Sequence, residues 1–175
     1  MFKYLIGVSK YGASIKNAIL NLKFRGKSCY SESLAKMIFD RIEKLPEKEN
    51  FDTIVYAPIS YQRFKQRGYN QAKLIAYELS KLLDVPVTDA LVKIRDTVPQ
   101  SSLSYKERKT NLKNSIVPRV MLDGMNILLV DDVYTTGATA EACIQALKAS
   151  NAKSIVVAVA AISGEDFYDG KNNII

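Results

Sequence analysis

The thirteen residues "ILLVDDVYTTGAT", Ile127 to Thr139, constrain this chain more than any other stretch. Their branched apolar run is too short to span a membrane and reads as a strand buried on both faces of a parallel sheet. Open parallel sheets gather ligands beyond the carboxyl ends of their strands, which is where Asp131 and Asp132 fall. Thr135, Thr136, Gly137 and Thr139 then supply hydroxyl donors and a flexible backbone just ahead of the amphipathic "ATAEACIQALKAS". That order predicts a phosphate cradle at a helix start. An ordinary helix-capping turn is the alternative for residues 135–139.

The remaining chain supplies a strand and helix alternation around this element. Ile15, Ala18, Ile19 and Leu22 stand at i, i+3, i+4, i+7 and predict an amphipathic helix in "ASIKNAILNLKF" that stops near Gly26. A second helix is expected from about Ser31 to Leu45. "DTIVYAP" reads as a short buried strand ended by Pro58, and Leu74, Ile75, Leu79, Leu82 and Leu83 return to helical spacing between Asn70 and Leu83. "VPVTDALVKI" predicts a short strand or a hairpin, and the Ser-x-x-Glu of "SYKE" predicts a helix starting after Ser104. The helix that follows the quoted stretch should end around Asn151, a residue that tolerates the left-handed closing position. "SIVVAVAAI" is then a last buried strand. No repeat is visible, so one domain is expected over residues 1–175, with 163–175 an irregular tail.

Composition removes several chemistries. The chain has no histidine, which excludes Ser-His-Asp and Cys-His triads and the usual histidine metal ligands. Its two cysteines, Cys29 and Cys143, are far apart and no CxxC occurs, so no structural zinc site is expected. No window approaches the roughly 18 apolar residues of a spanning helix, and "MFKYLIGVSKYG" lacks a signal-peptide core. A cytoplasmic protein with thiols left reduced is the expectation. The formal net charge of +7 is uneven: residues 1–119 hold 22 basic against 11 acidic side chains, and residues 120–175 hold 3 against 7. A basic front half beside an acidic strand end suits a polyanionic ligand, although for the lysines solvated surface charge is the better account.

Paired acids after an apolar strand also suit a Walker B element, but the nearest partner, "NLKFRGKS" at 21–28, has Asn21 for the first glycine and follows a helix. A receiver-type domain would need most of its sheet after the acids, and only 43 residues follow Asp132. The quoted stretch instead resembles the 5-phosphoribosyl-1-diphosphate (PRPP) fingerprint of type I phosphoribosyltransferases. Adjacent carboxylates can accept hydrogen bonds from two ribose hydroxyls while the Thr-Thr-Gly-Ala-Thr turn donates to the 5-phosphate.

"LKFRG" at 22–26, "RFKQRGYNQA" at 63–72 and "QSSLSYKERKTN" at 100–111 occur with that fingerprint in the order seen in ComF-family proteins. The resemblance covers roughly Ile15 to Ile162. It implies an α/β, parallel-sheet type I phosphoribosyltransferase-like fold that binds PRPP with Mg²⁺, the ion being held mainly by ligand oxygens and water. Asp131 and Asp132 would be the catalytic pair, with Thr135, Thr136, Gly137, Ala138 and Thr139 around the phosphate. Arg63, Arg67, Gly68 and Asn70 would form the pyrophosphate loop, where arginine forks meet phosphate and Gly68 lets the backbone approach. Gln100, Arg108 and Asn111 fall in a segment similar to the fold's mobile flap. Ser104 and Glu107 are better read as helix caps.

ComF-family proteins are associated with natural competence, so the resemblance implies a link to DNA uptake and to competence proteins. Two departures qualify it. The four-cysteine zinc module many members carry has no counterpart here, and Thr135 stands where purine-salvage enzymes place an acid, which removes the obvious general base. A PRPP-sensing protein that binds single-stranded DNA is the alternative to an enzyme. Lys3, Lys10, Lys16, Lys23, Arg25 and Lys27 precede any acid and are interleaved with Tyr4, Tyr11, Phe24 and Tyr30, rings that either stack bases or belong to the core.

Overall fold

The computed structural model describes residues 1–24, 29–95 and 115–163. Five strands form a parallel sheet in the order β1 (Phe2–Lys10), β7 (Ser154–Ile162), β6 (Asn126–Tyr134), β2 (Thr53–Tyr56), β3 (Val87–Thr88). β4 (Leu91–Lys93) and β5 (Ile116–Pro118) pair antiparallel as a separate ribbon. The helices are α1 (Ala13–Phe24), α2 (Cys29–Ile42), α3 (Tyr61–Arg67), α4 (Gln71–Leu83) and α5 (Ala138–Ala149).

The two central strands have the near-continuous apolar sequence that burial on both faces requires. All nine residues of β7 are buried, as are Ile127 to Val130 of β6. α2 and α4 pack on each other and on β1, β7, β6 and β2, while α5 packs on β6, β7 and the ribbon. α4 turns Ala72, Ile75, Ala76 and Leu79 inward; of the five residues whose spacing marked it in the sequence, Ile75 and Leu79 are buried, Leu74 and Leu83 are partly buried and Leu82 is exposed. α5 does so with Ala140, Cys143, Ala146 and Leu147 and closes near Asn151, whose φ is 61°, the expected left-handed position.

Sheet order creates the site. The chain leaves β6 toward β7 on one side and leaves β2 toward β3 on the other, so β6 and β2 flank a switch point where a crevice must open. β2 pairs with β6 only as far as Tyr56 opposite Val130, and then Ala57 donates its N–H to the Val130 carbonyl at 2.9 Å before Pro58 ends the ladder. β7 continues beside β6 to Ile162 opposite Tyr134. The strand therefore runs through both acids instead of ending at them, and beyond the Ala57 bond its β2 side is no longer paired.

Two elements differ from expectation, and one was not anticipated. "FKYLIGVSK" is an edge strand, held by parallel pairing to β7 some 150 residues away, with Gly7 flush against Ile162. "VPVTDALVKI" is neither one strand nor a hairpin, because β3 joins the main sheet and β4 the ribbon. The supposed pyrophosphate loop contains the helix α3. The stop near Gly26, the helix after Ser104 and the tail from 164 onward lie outside the described residues.

Candidate functional site

The end of β6 forms one wall of a cleft of about 330 Å³. Asp131, Asp132 and Val133 line it, with Thr135 and Thr139 from the following turn. Asp131 Oδ1 accepts the Asp132 N–H at 2.8 Å. Gly137, at φ 74°, turns the chain into α5 and stands at the helix N-cap with no side-chain capping bond. The left-handed backbone favours glycine there, and a Cβ would lie 2.7 Å from Tyr134 Cζ, so the tyrosine ring would have to shift to admit one. Asp131, Thr135, Gly137, Ala138 and Thr139 surround a small hollow of about 30 Å³ at this helix start. Thr136 faces a different groove, beside Phe2, Leu5 and Ile144, where its buried hydroxyl lacks a hydrogen-bond partner among the described residues.

The facing wall comes from Ala57, Pro58 and Ile59, then α3 and the start of α4. Ser60 caps α3 by accepting the Arg63 N–H at 3.4 Å, and Gly68 closes it at φ 78° with its N–H on the Phe64 carbonyl. The Ser cap and Gly stop were the local signals for this helix, but α3 buries no residue and so has no apolar periodicity to read. Arg63 and Arg67 reach the cleft from it. Burial lowers the proton affinity of the Arg67 guanidinium, Arg63 lowers it further, and Asp132 and Tyr69 oppose both. Gly68 is not in the cleft wall, and no atom lies within 4 Å of a Cβ built on it, so its place is explained by the helix stop. Asn70 is in the wall, but its side chain also caps α4 at the Lys73 N–H and donates to the Ala57 carbonyl at 2.9 Å.

Three wall residues were not singled out in the sequence, although Gln71 lies within the "RFKQRGYNQA" motif. Gln71, 3 % exposed, follows Asn70, and Lys93 of β4 and Ile116 of β5 come from the ribbon. Cys143 lies fully buried behind the site: burial pushes its thiol up, Asp131 adds to the effect and Lys93 opposes it. Gln100, Arg108 and Asn111 lie outside the described residues.

Of the basic and aromatic N-terminal set, the side chains of Lys23, Phe24, Arg25 and Lys27 lie outside those described, and several of the others are engaged within the fold. Lys3 pairs with Glu49 at 2.9 Å, and Tyr4 donates to the same carboxylate at 2.7 Å. Tyr4, Tyr11 and Tyr30 pack against the core. Exposed rings stand instead on α3, where Tyr61 and Phe64 are 68 % and 48 % exposed between Arg63, Lys65 and Arg67.

Comparison with known proteins agrees with this geometry. A family model for the phosphoribosyl transferase domain matches residues 67–171. The "DNA utilization protein YhgH" of Escherichia coli is 31 % identical over 159 residues, covering 87 % of this chain and 69 % of that protein. "Competence protein F" of Haemophilus influenzae is 32 % identical over 147 residues, covering 77 % of this chain and 62 % of its own length. Among solved structures, the glutamine phosphoribosylpyrophosphate amidotransferase of B. subtilis superposes with a TM-score of 0.54 at 13 % identity, over 81 % of this chain and 30 % of that one, a likeness of fold alone. An acidic strand end at the switch point, a glycine-started helix and these relatives lead to one assignment: the chain belongs to the ComF family and carries its phosphoribosyl transferase domain.

Proposed function

We propose that the cleft binds PRPP and that the protein serves the uptake and use of DNA. The observation that carries this reading is the meeting of three complementary subsites at one crevice: an uncapped start of α5 around a small hollow, two carboxylates, and two arginines. The hollow suits the 5-phosphate, because the amides at the start of α5 and the Thr135 and Thr139 hydroxyls are donors. Asp131 and Asp132 suit the ribose hydroxyls, and Arg63 and Arg67 suit the diphosphate. The link to DNA rests on the names of the relatives.

Mg²⁺ fits this donor set as an ion that arrives with the ligand. No three acidic or cysteine side chains converge as a metal cage among the described residues, and such an ion keeps water and phosphate oxygens as its main ligands. When bound it would neutralise charge on departing pyrophosphate. The chain's own part in a transfer would be to hold the ribose at Asp131 and Asp132 while Arg63 and Arg67 receive the diphosphate as its bond to the anomeric carbon breaks. With Thr135 in place of an acid, the incoming nucleophile must bring its own base or already be deprotonated.

Calorimetry with PRPP and Mg²⁺ tests the assignment. The Asp131→Asn, Asp132→Asn double variant should bind about 10- to 100-fold more weakly through lost charge-assisted bonds. Equal binding by wild type and variant would overturn the site.

A second reading, single-stranded DNA binding, is favoured by α3. Residues 53–77 hold Arg63, Lys65, Arg67 and Lys73 and no acid, with the exposed Tyr61 and Phe64 among them. Cations interleaved with open rings suit a strand whose bases stack. Oligonucleotide affinity should fall by about 0.7 log units per phosphate contact per log unit of salt, and Tyr61→Ala with Phe64→Ala should weaken it. No binding at low salt removes this reading.

A further inference from the structure

We propose that Gln71 is a positioning residue and an added donor for the diphosphate end of the ligand; this rests on the reading of the cleft as a PRPP site. Gln71 is the first residue of α4, is 3 % exposed, and lines the cleft beside Arg67 and Asn70. Its Oε1 accepts from Arg67 Nη1 at 3.2 Å. Its Nε2 is buried and has no hydrogen-bond partner among the described residues. Exchanging the two amide ends does not help, because the NH₂ would then face the guanidinium, donor against donor. Arg67 therefore fixes which way the amide points, and a buried N–H donor left unmet is costly.

The surroundings say what would meet it. Arg63 and Arg67 are cations, and the first amides of α4 have no carbonyl within their own helix, since the Asn70 side chain is spent on Lys73. Arg63, Arg67 and the first amides of α4 all present donors on this wall, so the complement of the unmet Gln71 Nε2 donor beside them is an acceptor-rich anion, and a phosphoryl oxygen of the diphosphate supplies it. The same amide holds the Arg67 fork, whose charge burial and Arg63 disfavour and Asp132 and Tyr69 support, so a further anion beside it adds to that support. Gln71 thus serves the diphosphate twice, once through Arg67 and once directly. It has no part in holding the 5-phosphate, which sits across the cleft.

Calorimetry of the full chain with inorganic pyrophosphate, PRPP and ribose 5-phosphate separates these roles, using Gln71→Glu and Gln71→Met checked for native melting. Gln71→Glu keeps an acceptor for Arg67 and replaces the donor with a negative charge. Pyrophosphate and PRPP affinity should fall about 10-fold or more at pH 7, recover partly as acid protonates the new carboxyl, and leave ribose 5-phosphate unchanged. Gln71→Met, which loses both contacts, should weaken pyrophosphate without the pH recovery. A purely structural amide predicts that Gln71→Glu binds pyrophosphate as well as wild type, and that result overturns the inference alone. Wild type that binds neither PRPP nor ribose 5-phosphate overturns the cleft reading and this inference with it.

Discussion

Gly137→Ala puts the turn before α5 under a defined load. At φ 74° an alanine costs about 1–2 kcal/mol relative to glycine. Its Cβ would also stand 2.7 Å from Tyr134 Cζ and 3.1 Å from Cε2, forcing that ring off its rotamer at about 0.5–1.5 kcal/mol. A stiffer unfolded chain offsets roughly 0.4–1 kcal/mol of this. The net loss is on the order of 1–2.5 kcal/mol, or about 2–10 °C in Tm for a chain of this size. Urea denaturation of the two single variants and of Gly137→Ala with Tyr134→Ala measures both parts, because removing the ring should recover only the steric share, a coupling of about 1 kcal/mol. Ribose 5-phosphate affinity should drop in parallel as the hollow distorts. A Gly137→Ala protein with unchanged Tm would refute the backbone argument, and zero coupling to Tyr134 would refute the steric one.

Two further outcomes follow from buried and paired groups. Burial alone would raise the Glu49 carboxyl, but hydrogen bonds from Lys3 and Tyr4 outweigh it and hold it below its ordinary value. Its contribution is therefore fully present above the unfolded value of about 4.3 and lost as pH falls through the folded one. Glu49→Gln should destabilise by on the order of 1 kcal/mol at pH 7, with the gap to wild type closing in acid; a gap independent of pH would contradict the ion-pair account. Cys143 is fully buried with its thiol pushed up, so in a Cys29→Ser background it should resist maleimide at pH 7 until urea unfolds the chain. Labelling of the native protein at the rate of a free thiol would contradict that placement.

Much of the site was legible because its parts are neighbours in the chain. The apolar run of β6, its two acids, the threonines, Gly137 and the face of α5 lie within about 25 residues, and each declares itself through local periodicity or backbone demand. The same holds for β7, for α4 and for Asn151, whose left-handed φ a helix end calls for. Tertiary structure decided what those parts meet. Only sheet order makes β6 and β2 the switch point, and the early end of β2 leaves the acidic stretch of β6 unpaired along that edge. β1 became a strand because β7 offered an edge, which its own mixed pattern did not announce. α3 escaped notice because a helix that buries nothing leaves no apolar stripe, and Gln71 and Lys93 joined the cleft wall only when α4 and the ribbon closed around the acids. Hydrophobic spacing records which face of an element is turned inward. It does not record which distant element will cover that face, since that is settled by packing and register between segments far apart in the chain.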